Sequence, residues 1–274
     1  MKASCVSKPV SRLGSTGHDG REGSLMDLLS MHTVLRRLTG EFGTALDYEA
    51  ILEVQYRKLI QPGATIIDAG AHAGRHTRVF SELCGPTGHV LAIEPLPQQA
   101  MMLRERAFAN VEVLEVALGD RSAQVPFIHA EGTPEESGLK ARIFNHPDRA
   151  SPRQIMVEMQ TLDRIAVQLE RCDYVKMDLE GAELTALRGG VSTLSRLRPV
   201  VSVEHGAAGY AVYGHGPDDL RAFAASHGYL MADLLGAPAV TPDEWSLVSG
   251  GWMWDFFMVP TERAGAILQA LQSG

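Results

Sequence analysis

Cysteine is scarce in this chain: Cys5, Cys84 and Cys172 are its three, in 274 residues. They are scattered and lack metal-site spacing, so free thiols in a reducing compartment are expected rather than a disulfide framework. Positive charge is also in deficit, with 25 Lys and Arg against 33 Asp and Glu and a formal charge of -8. That balance removes the basic footprint that nucleic-acid binding requires. No apolar run is long enough to span a bilayer, and the Gly-, Ser- and Lys-containing N-terminus has no apolar core for secretion. A cytoplasmic location is therefore expected. Internal repeats, low-complexity tracts and a Gly-x-Ser-x-Gly nucleophile elbow are all missing. What remains is length enough for one large α/β domain with an N-terminal extension.

Within that domain the informative stretch is Thr65-Ile66-Ile67-Asp68-Ala69-Gly70-Ala71-His72-Ala73-Gly74, with Ile93-Glu94-Pro95 about twenty residues later. An apolar strand runs into a glycine turn, and a second strand ends in an acid. Gly70 and Gly74 permit a tight turn and close backbone approach to a ligand where the next helix begins. Glu94 is placed to accept both hydroxyls of a ribose, which does not separate one adenosine cofactor from another. Asp68 does separate them, because a carboxylate two residues before the turn repels a diphosphate and pairs with an α-ammonium. The Gly-x-Gly-x-x-Gly dinucleotide spacing is not met either. The expected ligand is S-adenosylmethionine, with Ala71 and His72, inside the turn, also at the cofactor. A nicotinamide-dependent oxidoreductase and a catalytically silent cofactor-binding protein stand as the alternatives.

Polar, unpatterned residues 1–23 read as a flexible tail. Residues 24–62 read as a helical extension with two amphipathic patterns, Leu28 to Leu38 and Ile51 to Leu59, the second ended by Pro62-Gly63. From residue 63 to 274, strands expected at 65–69, 89–94, 111–116, 173–178, 199–204, 228–233 and 253–259 alternate with helices near 75–84, 97–109, 183–195, 217–227 and 261–272. That alternation is the mark of a doubly wound parallel sheet. Only a short connection containing Pro, Gly and Trp separates the last two strands, so they are expected as an antiparallel pair at the sheet edge. The polar stretch 129–154 reads as a lid.

Residues 66–74, Glu94-Pro95, Ala117-Leu118-Gly119-Asp120, Thr161-Leu162-Asp163 and above all Val175-Lys176-Met177-Asp178-Leu179-Glu180-Gly181-Ala182-Glu183 resemble the FkbM family of S-adenosylmethionine-dependent methyltransferases. The resemblance runs roughly from residue 60 to 260 and is most specific between Lys176 and Glu183. It implies a class I methyltransferase fold: a Rossmann-like α/β domain whose seven-stranded, mostly parallel sheet has one antiparallel edge strand, preceded here by N-terminal helices. It also implies methyl transfer to a hydroxyl of a sugar or secondary metabolite. Carried onto this chain, it puts Asp68, Gly70 and Gly74 at the methionine end of the cofactor with Asp178 nearby, and Glu94 on the ribose. Leu118 and Gly119 would hold the adenine, whose amino group Asp120 would accept; a plain strand end and turn is the other reading of that run.

The reacting groups are expected at the carboxyl ends of the fourth and fifth strands, where Asp178 and the pair Glu204-His205 stand. Two tasks suit them. Either His205 or Asp178 removes the hydroxyl proton, or Asp178, Glu204 and His205 hold a magnesium ion that lowers the pKa of the hydroxyl. Glu180 is expected to orient the substrate, whereas Glu183 belongs to the first turn of a helix. Lys176, inside an apolar strand, requires an acidic partner, for which Asp68 or Glu204 would serve. His129, His146 and His215 sit in loops, and Trp245, Trp252 and Trp254 surround the last strand pair, where they would line an acceptor pocket, a subunit contact or the core. The expected partner is a small hydroxylated molecule; monomer and homo-oligomer both fit.

Overall fold

The computed structural model describes residues 47–106, 108–250 and 253–273. The tail over 1–23 and the first amphipathic pattern, Leu28 to Leu38, lie outside those residues. The second pattern forms α1 (Tyr48–Leu59), capped by Asp47, whose carboxylate accepts from Ala50 N–H at 3.0 Å. Leu52 and Tyr56 bury its inner face, and the Tyr56 hydroxyl meets His76 Nδ1 at 2.9 Å. This helix brings Glu49 to the ligand edge of the sheet.

Five apolar runs pair in parallel: β1 (Thr65–Ala69), β2 (His89–Ile93), β3 (Val111–Leu114), β7 (Tyr174–Met177) and β8 (Val200–Glu204). Being covered on both faces, they read as continuous apolar segments. The intervening numbers belong to β4 (Ala117–Leu118), β5 (Ala123–Ala130) and β6 (Pro152–Gln160), which lie elsewhere. β9 (Tyr229–Asp233) and β11 (Asp255–Pro260) form the expected antiparallel pair. The longer reversed strand lies inside the sheet and only a short one stands at the edge. β11 inserts between β8 and β9 and runs against both, and a two-residue β10 (Pro238–Ala239) closes that side, so the order is β10-β9-β11-β8-β7-β1-β2-β3 and the strands number eight. Insertion lets the wholly buried Asp255–Pro260 run cover itself on both edges.

Residues 129–154 are not one irregular lid. Their two ends belong to β5 and β6, which pair antiparallel over eight positions and join β4 in a second, three-stranded sheet. Pro126 is tolerated because β5 is an edge strand. Between the strands lie a turn of 3₁₀ helix (Pro134–Glu136) and one turn of α-helix (Pro147–Ala150). Buried Glu136 anchors this connection by accepting from Asn145 N–H at 2.8 Å. Phe127, Val125, Val157 and Met159 form a small core with Leu96 and Ala117, which seats the second sheet beside the ends of the first.

The helix expected over 183–195 is interrupted, giving α6 (Glu183–Arg188) and α7 (Val191–Leu197), numbered in chain order after α2 (Arg75–Cys84), α3 (Pro97–Glu105), α4 (Pro147–Ala150) and α5 (Leu162–Ile165). The break falls at Gly189, where a Cβ would stand 2.2 Å from the Gly119 carbonyl oxygen. Among the described residues no helix is long and apolar enough to cross a membrane.

Candidate functional site

Beyond β1 the chain turns sharply at Gly70, whose φ is +82° and whose hypothetical Cβ would lie 1.9 Å from the Asp178 carbonyl oxygen. Glycine is the residue that fits. The Gly70 and Ala71 amides both donate to Ile93 O at 3.0 Å, which locks the turn onto the end of β2. His72 is also left-handed, at φ +46°, and its Nε2 is buried without a partner. Its amide donates to Glu94 at 2.9 Å, while the other Glu94 oxygen accepts from Leu96 N–H at 2.8 Å. Burial pushes Glu94 up to about 7, the two amides opposing the shift.

A cavity of about 270 Å³ opens over these strand ends. Of the residues expected at the cofactor, Gly70, Ala71, His72, Glu94, Leu118 and Asp178 line it, together with Glu180. Ala117, Leu118, Leu96 and Phe127 give one end apolar walls, and Glu49, Lys176 and Asp178 make the other end charged. Pro134, Ser137 and Leu139, from the connection after β5, line it as well.

Four expected cofactor contacts are corrected. Asp68 does not reach the cavity: it is 1% exposed, accepts from the Thr77 hydroxyl at 2.6 Å and lies beside Lys176 in register. Burial raises its pKa despite the Lys176 ammonium. Gly119 is a packing residue, since a Cβ there would sit 2.3 Å from Met159 Sδ. Asp120 turns to solvent and pairs with Arg121 at 2.9 Å, outside the cavity. Gly74 caps the following helix and packs under Leu103.

At the charged end Asp178 is the organising group. Lys176, two residues earlier on the same face of β7, reaches it at 3.0 Å, and Asp178, not Asp68 or Glu204, is thus the ion-pair partner of that buried lysine. Burial alone would raise Asp178, but Lys176 and a hydrogen bond with Glu204 outweigh it and hold the carboxyl below its ordinary range. Glu204 moves the opposite way: burial and the adjacent Asp178 charge raise it well above normal, so the shared proton resides there. Lys176 itself is drawn down by burial yet held above its usual value by Asp178, Asp68, Glu49 and Asp255. Asp255, opposite Glu204 in the β8–β11 ladder, is pushed by burial up to about 7.

Asp178, Glu204 and Asp255 also line a second opening of about 270 Å³, with Glu49, Tyr48 and the half-exposed Trp254. Asp178 and Glu49 border both spaces. Glu49, Phe127 and Asp255 were not anticipated. Asp255 could have been, as the one acid within the apolar run from Met253 to Val259; Glu49 sits in an ordinary first helical turn and gave no signal.

His205 is removed from the site. It is 2% exposed, neither ring nitrogen has a partner, and it packs against Tyr210 at 4.3 Å and Trp245 at 5.1 Å between centroids. Its amide donates to Trp254 O, extending the ladder, so side-chain alternation sends Glu204 to the site and His205 to the aromatic core. Burial pushes its pKa down to about 4. A magnesium site would then rest on Asp178, Glu180 and Glu204, which can bring one oxygen each within 4.8 Å of one another. Oxygen donors suit that ion. The charges do not: Lys176 already pairs with Asp178, and Arg142 pairs with Glu180. The donor set is spent, and no step is assigned to a metal. Glu183 is structural, accepting from the Leu179 and Gly181 amides at 2.7 and 3.1 Å.

Comparison with known proteins places this geometry. The family described as the methyltransferase FkbM domain matches residues 68–231. The 2-O-methyltransferase NoeI of Sinorhizobium fredii is 30% identical over 153 residues, which are 51% of this chain and 63% of that protein. Ribosomal RNA large subunit methyltransferase E of Coxiella burnetii is 32% identical over 99 residues, 33% of this chain and 47% of the relative. The chain thus spans less than two thirds of the length of either relative. Among solved structures, the methyltransferase FkbM of Methylobacillus flagellatus aligns over 87% of this chain and 58% of its own, with 16% identity and a TM-score of 0.45.

Proposed function

We propose, from the premise that this chain belongs to the FkbM methyltransferase family, that it binds S-adenosylmethionine and methylates a hydroxyl of a small sugar or secondary metabolite. The observation that carries the reading is that Asp178 borders both the cavity over the glycine turn and the acidic opening beside it. A group at that junction faces donor on one side and acceptor on the other. The cavity suits the donor, with a glycine turn that admits no Cβ, a partnerless His72 Nε2 and an apolar slot at its far end.

When bound, S-adenosylmethionine supplies a methyl group on a cationic sulfur. Glu94 would accept the ribose hydroxyls, Leu96, Leu118 and Phe127 would enclose the adenine faces, and Glu49 with Asp178 would attract the cationic amino acid end. Asp178 takes the acceptor's proton. Its carboxyl is held below its ordinary range, yet it suffices, because a hydroxyl oxygen that gains a carbon becomes a far stronger acid than any carboxyl. As Asp178 takes up the new proton, Glu204, already protonated and hydrogen-bonded to Asp178, releases its own toward Asp255 and the opening that both line. Holding both reactants at one junction supplies most of the acceleration.

Transfer to oxygen is supported by the name of the 2-O-methyltransferase relative. A small polyol is supported by the opening itself, where carboxylates accept hydroxyl donors and Trp254 offers a ring face; a polyphosphate chain would be repelled there. Calorimetry with S-adenosylhomocysteine tests the donor half, with one saturable heat per chain expected and none from a nicotinamide dinucleotide. Methyl transfer to a panel of sugars tests the rest. Absence of heat with the demethylated donor would refute the reading.

A further inference from the structure

A third concavity, of about 360 Å³, lies between the small sheet and α6, separated from the donor cavity by Leu139, which borders both. Its character is opposite to that of the acidic opening. Arg121, Lys140 and Arg188 line it with Thr185, Tyr213 and His215, against Asp120 as its one acid. Asp120 is already matched by Arg121 at 2.9 Å. Lys140 and Arg188 have no carboxylate partner among the described residues: the Lys140 ammonium contacts the Val212 carbonyl at 3.1 Å and the Tyr213 ring at 4.9 Å. Two uncompensated cations facing one groove are unusual in a chain of formal charge -8.

The uncharged lining is equally particular. Thr185 Oγ1 and His215 Nε2 lie 3.2 Å apart, and Tyr213 stacks over His215 with ring planes 16° apart. A hydroxyl and an imidazole beside two cations are a donor set that tetrahedral oxyanions take, with an arginine able to bind two oxygens at once. Tyr213-Gly214-His215-Gly216, which has no part in methyl transfer, thereby acquires a role.

We propose that this groove is a binding site for the phosphate group of a small molecule, with Lys140 and Arg188 as its charged ligands, Thr185 and His215 as its neutral ones, and the Tyr213 ring as a wall. Lys140 adjoins Leu139, so a bound phosphate holds the connection after β5 against α6 and the Tyr213 loop, and with it one wall of the donor cavity. The inference does not depend on the methyl-transfer reading, since it concerns a different space and its test uses no methyl donor.

The test is thermal unfolding and calorimetry of the full chain with inorganic phosphate, with glycerol phosphate, and with sodium chloride at matched ionic strength. Saturable binding and a rise in Tm are expected with the two phosphates and not with chloride. Lys140→Gln and Arg188→Gln, both at exposed positions, should each weaken phosphate about tenfold and together abolish it, whereas Lys140→Arg should retain it. Glycerol phosphate binding more tightly than inorganic phosphate would identify an ester as the occupant; equal affinity would identify the free ion and overturn the small-molecule assignment. No response beyond chloride, or an undiminished response in the double variant, would overturn the site altogether.

Discussion

Glu94 should make donor affinity depend on pH near neutrality. Its carboxyl is 4% exposed, and burial pushes it up to about 7 against the pull of the Leu96 and His72 amides. A ribose needs an acceptor for its hydroxyls, and ionised Glu94 has lone pairs beyond those its two amides use. With a midpoint near 7, roughly one-tenth of the molecules carry the carboxylate at pH 6 and roughly nine-tenths at pH 8. Kd for S-adenosylhomocysteine should therefore fall about tenfold across that interval, or about 1.4 kcal/mol. Calorimetry in buffers of different ionisation enthalpy should also detect proton release on binding at pH 7. Stability moves the other way. Folded Glu94 holds its proton more tightly than the unfolded chain, whose carboxyl titrates near 4.5, so stability is lost as pH rises from there through about 7, in all about 3 kcal/mol. Glu94→Gln should flatten both profiles. Asp255→Asn removes another acid raised to about 7, but from the acidic opening, and should leave the donor profile intact. A flat wild-type profile, or a tenfold slope surviving in Glu94→Gln, would refute the placement of the ribose.

Gly70→Ala should lower stability by roughly 2–4 kcal/mol, measured by urea unfolding, since it combines a left-handed backbone with a Cβ 1.9 Å from a carbonyl oxygen; an unchanged midpoint would show that the turn yields. Asp178→Asn should reduce methyl transfer by roughly 10²–10⁴-fold while changing donor Kd less than tenfold, and equal losses in both would make it a donor ligand only. His205→Phe should retain activity and gain stability in acid. The buried imidazole stays neutral to about pH 4 while the unfolded chain takes up a proton near 6.5, so wild-type stability falls as pH drops through that window by about 3 kcal/mol, and the phenyl ring escapes the loss. Inactivity of a folded His205→Phe protein would restore the histidine to the chemistry. Chelation of divalent ions should leave the rate unchanged, because the carboxylates that would bind a metal are already neutralised.

How much of this was legible follows from what each residue's neighbours are. The β1 segment and its turn could be read directly, since a doubly covered strand must be apolar throughout and a turn pressed against the Asp178 carbonyl must be glycine. The small sheet could not. Its strands expose one face, carry Pro126 and Pro152, and take their buried partners from Leu96 and Ala117, far away in the chain. His205 lies outside the site for a simpler reason: neighbours on an extended strand point apart, so adjacency to Glu204 in sequence is not adjacency in space. Asp68 failed similarly, since its carboxylate turns toward Thr77 and away from the ligand.

Lys176 explains why so acidic a site can exist at all. Among the described residues it is the one buried lysine or arginine, and Asp178, Asp68, Glu49 and Asp255 all act on it. Carboxylates gathered this closely would each bind a proton without a cation beneath them. The buried ammonium lets one of them, Asp178, stay ionised while Glu204 and Asp255 are raised. The result is a charged base at the junction, beside a Glu49 that is likewise held below its ordinary range, with protonatable acids behind it, which is what the proposed removal of a hydroxyl proton requires. The resemblance that pointed to this region is strongest between Lys176 and Glu183, and the physical reason is now plain: Lys176 sets the ionisation, Asp178 faces both openings, Glu180 ties down the covering segment through Arg142, and Glu183 fixes the turn that holds them.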